Sequence, residues 1–437
     1  KLIKNFYIKT FGCQMNEYDS NRISDLLSFA NYSKVSKPDD AECFIFNTCN
    51  IREKANQKVY SDVGKIRKKF RDKKAKPIIV LAGCVAQAES NLVFEKSNYV
   101  DIVVGPQSYH RLPDLLKNFQ SQNKKSINNE FNVIEKFDKL NQIKRNTNKV
   151  SNYITIQEGC DKFCKFCVVP YTRGPEYSRS VYEIVEEAKR LESLGTKEII
   201  LLGQNVSAYK HENNNLSDLI KEISKLHQIE RIRFTTSHPN DFNDDIINIF
   251  KDEPKLMPQL HLPVQSGSDK ILKLMNRNYT KKKYINLIDK LLKAKPDIQF
   301  SSDFIVGFPE ETNEDFNETL DLIKNVNFTN SYSFIYSERP GTPAVNFEKI
   351  PLSVAKDRLK SLQDLLNNIQ SKASSRSIDK DNLVLFENKT KDKKQFYGKN
   401  IYAQPVFVKN KDINNGDLKF VKITDYNKNT LFGTIKD

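Results

Sequence analysis

Three cysteines stand at a C-x3-C-x2-C spacing in Glu158-Gly159-Cys160-Asp161-Lys162-Phe163-Cys164-Lys165-Phe166-Cys167. Thiolates are soft ligands, suited to iron or zinc. Three of them on one short loop grip a single metal centre and leave its fourth position open, whereas a closed structural zinc site takes four protein ligands. No cysteine or histidine close in sequence supplies a fourth, the nearest histidines being His110 and His211. The spacing favours a [4Fe–4S] cluster on Cys160, Cys164 and Cys167, with one iron free for another ligand. Zinc or a redox dithiol stays open as the alternative.

Three more cysteines recur at one kind of position. Cys13, Cys49 and Cys84 each follow an apolar run that reads as a strand (Phe6–Thr10, Glu42–Asn47 and Pro77–Ala82), 36 and 35 residues apart. One β-α-β repeat fits each gap, and the carboxyl ends of strands in an open parallel sheet line the ligand crevice. The three thiols are therefore expected to converge on a second, auxiliary iron–sulfur cluster, with Gly12 and Gly83 allowing the tight turns. Three buried structural thiols are the alternative, since free cysteine is often buried. Cys43 begins a strand instead of ending one and reads as a core thiol. Without any metal, the six thiols would still be expected to stand in two groups of three.

The elements that must position these residues divide the 437-residue chain into an expected four segments. Residues 1–118 alternate strands and helices, including a fourth strand at Val100–Val104 and a basic helix over Arg52–Arg71, and predict a parallel α/β domain. Residues 119–149 are polar and read as a linker with one strand around Phe131–Ile134. Residues 150–373 repeat a strand–helix unit six times, with strands expected at Tyr153–Gln157, Glu198–Leu202, Arg231–Thr236, Gln259–Val264, Gln299–Val306 and Ser331–Tyr336. Six units predict a partial (β/α)6 barrel, two short of the closed form, with its chemistry at the carboxyl ends of the strands. Leu352–Ser377 reads as a long helix. Residues 374–437 change to short alternating strands with Gly398, Gly416 and Gly433 between them, which predicts a small antiparallel β-barrel.

The strand ends of the central segment carry polar residues. Gln204, Asn205, Ser237, Gln265 and Asp303 are candidates to hydrogen-bond a small zwitterion and a ribose. His238 and His261, beside a proline and inside a strand, read as structural.

Net charge is +15 with pI near 9.2, the balance expected of a polyanion binder, although lysine is abundant throughout. From Ser371 to Asp437, 14 Lys and Arg face 8 Asp and Glu, a net +6. There Phe396, Tyr397, Tyr402 and Phe407 interleave with Lys393, Lys394, Lys399 and Lys409, which suits single-stranded or looped RNA. Core aromatics under a solvated basic surface are the alternative. The chain lacks a run of about 18 apolar residues, so no membrane span is expected. Its amino end enters a strand pattern directly, which predicts no signal peptide. Thiols kept for metal imply a reducing compartment, the cytoplasm, and a monomer is the default.

Tyr7-Ile8-Lys9-Thr10-Phe11-Gly12-Cys13-Gln14-Met15-Asn16-Glu17-Tyr18-Asp19-Ser20 resembles the N-terminal signature of the MiaB-type tRNA methylthiotransferases. Gly159-Cys160 through Cys167-Val168-Val169-Pro170-Tyr171-Thr172-Arg173-Gly174 resembles the radical S-adenosylmethionine (SAM) loop of the same family. Gly203-Gln204-Asn205-Val206, Thr236-Ser237-His238-Pro239, His261-Leu262-Pro263-Val264-Gln265-Ser266-Gly267-Ser268 and Arg339-Pro340-Gly341-Thr342-Pro343 agree, and the C-terminal barrel is similar to a TRAM domain. Sister families that modify ribosomal protein S12 (RimO) or threonylcarbamoyl-adenosine (MtaB) differ just after the first cysteine. Glu310 stands where the family usually has glycine.

The resemblance implies methylthiolation at C2 of N6-isopentenyladenosine at tRNA position 37. It implies two [4Fe–4S] clusters, SAM as radical source and methyl donor, and an external electron donor of flavodoxin or ferredoxin type. It places Phe166 against the SAM adenine and makes Arg339, Arg173 and Tyr171 candidates for substrate contact. A RimO-like enzyme acting on protein and a metal-stabilised RNA-binding protein without catalysis are the competing readings.

Overall fold

The computed structural model describes residues 4–49, 53–73, 75–409 and 412–436. Two compact units divide the chain: residues 1–146 with 157–161 and 168–179, and residues 147–156 with 162–167 and 180–437.

The first unit is a doubly wound sheet. Its strands are β1 (Asn5–Thr10), β2 (Ser33–Lys34), β3 (Cys43–Thr48), β4 (Ile78–Gly83), β5 (Ile102–Val104) and β6 (Ser126–Asn128), in spatial order β2-β1-β3-β4-β5-β6. Every pairing is parallel. Successive strand residues feed opposite faces. Phe6, Cys43, Ile45 and Val80 pack under α1 (Gln14–Phe29), whereas Phe44, Phe46, Ile79 and Leu81 pack under α2 (Glu53–Lys69) and α3 (Cys84–Glu89). Further along come α4 (Leu92–Lys96), α5 (Leu112–Gln122) and α6 (Val133–Asn141).

The expected linker is instead built into this unit. β6 extends the sheet at Ser126–Asn128, and the segment around Phe131–Ile134 opens a helix, not a strand. The reason is local: Asn132 accepts the Glu135 N–H at 3.2 Å and caps α6, which buries Lys136, Phe137 and Leu140.

The second unit holds the central barrel and the small one. Ser151–Thr155, Glu198–Leu202 and Arg231–Phe234 form a parallel sheet; Gln259–His261 pairs with Gln299–Ser301, and Asp303–Val306 with Tyr332–Ile335, also in parallel. Helices Val181–Ser193, Leu216–Ser224, Asp244–Asp252, Lys281–Ala294, Asn313–Val326 and Leu352–Ser375 follow the strands in turn, giving the partial (β/α)6 barrel. The single strand expected over residues 299–306 is broken at Ser302, whose hydroxyl accepts the Val264 N–H at 2.9 Å. The two halves pair with different neighbours. Five strands (Asp381–Lys389, Phe396–Lys399, Pro405–Val408, Leu418–Asn427 and Thr430–Ile435) close the C-terminal barrel around Val384, Phe386, Phe396, Val406 and Val421. The alternating pattern predicts a strand over Ile401–Val408, but residues 401–404 turn, because the Asn400 side chain takes the Tyr402 and Gln404 N–H groups at 3.0 Å each.

No helix among the described residues is long and apolar enough to cross a membrane.

Candidate functional site

Cys13, Cys49 and Cys84 follow β1, β3 and β4 at the carboxyl end of the first sheet. Strand order reverses between β1 and β3, and such a switch point is where a doubly wound sheet opens its ligand crevice. Asn16 stitches the two strand ends by donating to the Phe11 carbonyl at 2.9 Å and the Thr48 carbonyl at 2.7 Å. Asn47 returns to the Asn16 carbonyl at 2.9 Å, and Thr48 Oγ1 bonds the Ala82 carbonyl at 2.6 Å. Gly12, at φ +105°, lies so close to Cys49 that an added Cβ would meet its Cβ at 2.2 Å.

The thiols differ in electrostatic setting. A hydrogen bond with Cys49 pulls the Cys13 thiol down to about 6, with Asn16 and the Arg173 charge acting the same way against burial. Burial pushes Cys84 up, and Arg173 opposes it by charge and hydrogen bond. Burial also raises Cys43, and there the Asp101 charge adds to it instead of opposing it, as befits a core thiol.

Arg173 is thus a partner of the first set of cysteines. Expected to contact substrate, it is 4% exposed and pairs with Asp19 at 2.7 Å and Glu158 at 3.4 Å. Glu158 also takes Lys136 and, at 2.6 Å, the Gln107 amide. Burial works against the Glu158 charge, but Lys136 and Arg173 hold its carboxyl below the usual range. Two acids and two bases therefore compensate one another in a buried network. It anchors the segment entering the Cys160 loop, and Gly174 accepts the Cys160 N–H at 3.2 Å.

Residues 162–167 of that loop belong to the second unit and are gripped by three consecutive residues. Met275 O accepts the Lys165 N–H at 3.0 Å. Asn276 Nδ2 donates to the carbonyls of Lys162 at 3.3 Å and Phe163 at 3.1 Å. Arg277 Nη1 donates to Cys164 Sγ at 3.4 Å. The Ala344 N–H adds a bond to the Lys165 carbonyl at 3.0 Å, Cys167 N–H bonds the Cys164 carbonyl at 2.9 Å, and Lys162 pairs with Asp241 at 2.7 Å. Phe166 lies edge-on to Phe308, beside Ile271, Met275 and Ala344.

The strand-end candidates divide. Ser237 Oγ is buried without a hydrogen-bond partner, as are Thr235 Oγ1 and His238 Nε2. Burial and the charges of Arg277, Lys162 and Lys283 hold His238 neutral, down to about 2, and its Nδ1 accepts the Asn240 N–H at 3.3 Å. Asn205 does not face a free space. It donates to Asp241 at 2.7 Å and accepts from Ser207 at 3.0 Å and the His238 N–H at 3.1 Å, so it ties two strand ends together. Gln265 takes φ +75° and bridges to Phe304, and Asp303 accepts His261 Nε2 at 3.3 Å. Gln204 is half-buried and Tyr171 exposed. Arg339 Nη1 folds back onto Ser337 Oγ at 3.0 Å.

Among the described residues no three Cys, His, Asp or Glu groups stand together closely enough to hold one metal ion. Cys13 nevertheless interacts with both Cys49 and Cys84, and Arg173 acts on Cys13 and Cys84 alike. The thiols' partners are Cys49 for Cys13, Arg173 for Cys84 and Arg277 for Cys164. The donor chemistry still fits iron–sulfur ligation, which takes thiolates stabilised by N–H donors. The orphaned hydroxyls beyond Phe234 fit a polar ligand such as SAM.

Sequence reasoning missed Met275, Asn276 and Arg277. The sequence signal is the Asn276-Arg277-Asn278 pattern, since asparagine favours turns, and both asparagines take left-handed φ, +60° and +57°.

Comparisons with known proteins define the class first. The Radical SAM superfamily model matches residues 154–323, the Uncharacterized protein family UPF0004 model residues 5–105, and the TRAM domain model residues 382–436. Among solved structures, the radical S-adenosylmethionine methyltransferase TsrM from Kitasatospora setae, with cobalamin and a [4Fe-4S] cluster bound, matches with a TM-score of 0.58. It is 13% identical and the match covers 79% of this chain and 77% of that one, a likeness of fold alone. A Pelagibacter ubique protein named tRNA-2-methylthio-N(6)-dimethylallyladenosine synthase is 50% identical over 440 residues, covering 100% of this chain and 98% of its own length. A Rickettsia akari protein of the same name is 48% identical, covering 99% of each chain. The chain belongs to the family of MiaB-type tRNA methylthiotransferases, which are radical SAM enzymes.

Proposed function

We propose that the chain converts N6-isopentenyladenosine at tRNA position 37 into its 2-methylthio derivative. The likeness to synthases of that name from end to end of the chain carries the reading. Cys160, Cys164 and Cys167 would hold one [4Fe–4S] cluster, and Cys13, Cys49 and Cys84 a second. When bound, the clusters and SAM supply a carbon radical, a sulfur atom and a methyl group, chemistry that no side chain provides.

The chain's own residues hold and enclose. Phe166 offers an aromatic face beside the cluster loop, and Ser237, Gln265, Asp303 and Gln204 supply polar contacts for SAM. Asn205 acts one step back, through Asp241 and His238. Tyr171 and Arg339 remain candidates for the substrate, and the C-terminal barrel for RNA. Seven free thiols fit a reducing cytoplasm, where an external flavodoxin or ferredoxin would deliver electrons.

The test is anaerobic reconstitution with iron and sulfide, followed by SAM, reductant and isopentenylated tRNA. Release of 5′-deoxyadenosine and gain of methylthio-adenosine are expected. Absence of SAM cleavage in a preparation verified to hold both clusters defeats the reading. Cys49→Ala is expected to lose about half the iron, in line with one cluster of two, and to keep some SAM cleavage. Unchanged iron content removes the second cluster from the proposal.

A further inference from the structure

Arg277 is buried, at 6% exposure, and its hydrogen-bond partners include no carboxylate. Nε donates to Tyr279 OH at 3.0 Å, Nη2 to the Pro263 carbonyl at 2.8 Å, and Nη1 to Cys164 Sγ at 3.4 Å. A guanidinium stays charged in proteins, and a buried charge without a counter-ion is costly. Three other buried arginines do pair with acids, Arg173 with Asp19, Arg233 with Glu198 and Arg358 with Glu311, whereas Arg231 bonds the carbonyls of Lys399 and Leu383. The one partner of Arg277 able to carry a full negative charge at neutral pH by binding metal is the sulfur of Cys164.

The arginine is also rigidly aimed. Tyr279 OH accepts from it and donates in turn to the Val264 carbonyl at 2.8 Å, fixing Nε and Nη2 on the end of the fourth barrel strand. The two residues before it hold the same loop by its backbone, Met275 at Lys165 and Asn276 at Lys162 and Phe163. The geometry points to Met275-Asn276-Arg277 as a clamp whose first two residues set the path of the cluster loop and whose arginine tunes the cluster through Cys164. Arg277 is a positioning residue that acts through the cysteine. It favours whichever cluster state carries more negative charge, the reduced one, as N–H donors to sulfur do. The inference rests on the proposed cluster at Cys160, Cys164 and Cys167.

The experiment is a potential-controlled EPR titration of the full-length reconstituted protein, with and without SAM. The signal that changes on SAM addition reports this cluster. Arg277→Met is expected to lower its reduced-to-oxidised ratio at fixed potential about tenfold, a shift of about 59 mV downward for one electron. Arg277→Lys, which keeps a charged donor, is expected to recover most of that shift. An unchanged potential in a cluster-loaded Arg277→Met protein overturns the inference. If Arg277→Met fails to load while keeping the parent's helical content, recovery of loading in Arg277→Lys supports the role of charge. Failure of both variants overturns it. A parent protein with no SAM-responsive signal refutes the proposed function itself, which separates the two failures.

Discussion

Gly12 and Arg173 show how differently two residues of one site announce themselves. A glycine directly before a strand-end cysteine is a local signal, and at φ +105° it is the residue that lets Cys49 come close. Gly12→Ala is expected to displace Cys49, so that iron content after reconstitution falls while the Cys160 loop keeps its share. Full iron retention rules this out. Arg173 carries no such local signal, because the acid it meets at 2.7 Å lies 154 positions away. Beside the cluster loop it reads as a surface contact, and only the fold reveals the Asp19 and Glu158 carboxylates around it. Arg173→Met leaves Asp19 buried without its cation and is expected to destabilise the fold by about 3–5 kcal/mol, the usual effect of breaking one side of a buried pair. Urea unfolding of the metal-free protein measures it, and a loss below about 1 kcal/mol, the range of exposed pairs, contradicts the buried network.

Elements were readable wherever burial is continuous. Glu198–Leu202 is apolar apart from its first residue and lies where its pattern places it, because strands covered on both faces need no alternation. Elements were misread where a side chain redirects the backbone, as Asn132 does at the start of α6 and Asn400 does after the second strand of the small barrel. The same barrel corrects the expected RNA surface. Phe396 is core, and Lys399 pairs with Glu387 at 2.9 Å. Around it, Arg231 donates to the carbonyls of Lys399 and Leu383, and Arg233 to those of Ile401 and Asn400, all within 2.8–3.0 Å. Composition cannot show this docking, since the acceptors are backbone carbonyls and any residue supplies one. Arg233 also pairs with buried Glu198 at 2.7 Å. Arg233→Met is therefore expected to loosen the small barrel from the central one and to cost about 3–5 kcal/mol. Limited proteolysis at the connection near Ser375 should quicken several-fold; an unchanged cleavage rate argues against the latch.

Those docking arginines are the first and third residues of the strand Arg231–Phe234, whereas Ser237 and His238 lie beyond its carboxyl end. Along this strand the contacts to the small barrel thus precede the residues proposed to meet SAM. An RNA that offers one base to the proposed site and also reaches the small barrel is expected to be longer than an isolated stem-loop. Phe420 of the small barrel is exposed among Lys419, Lys422 and Lys436, which pair with Asp417, Asp379 and Asp381. Aromatic stacking with flanking cations suits an unpaired nucleotide. With a net charge of +15, tRNA affinity is expected to rest on many phosphate contacts. It should fall steeply with salt, by about 10³–10⁵ between 50 and 200 mM if roughly 6–10 phosphates are engaged. Phe420→Ala should weaken binding of full-length tRNA by about 1–3 kcal/mol, the value of one stacked base, with a smaller effect on an isolated anticodon stem-loop too short to reach the small barrel. Equal losses for the two RNAs would place Phe420 at the anticodon loop itself. Binding insensitive to salt would mean that the charge of this chain is not used on nucleic acid at all.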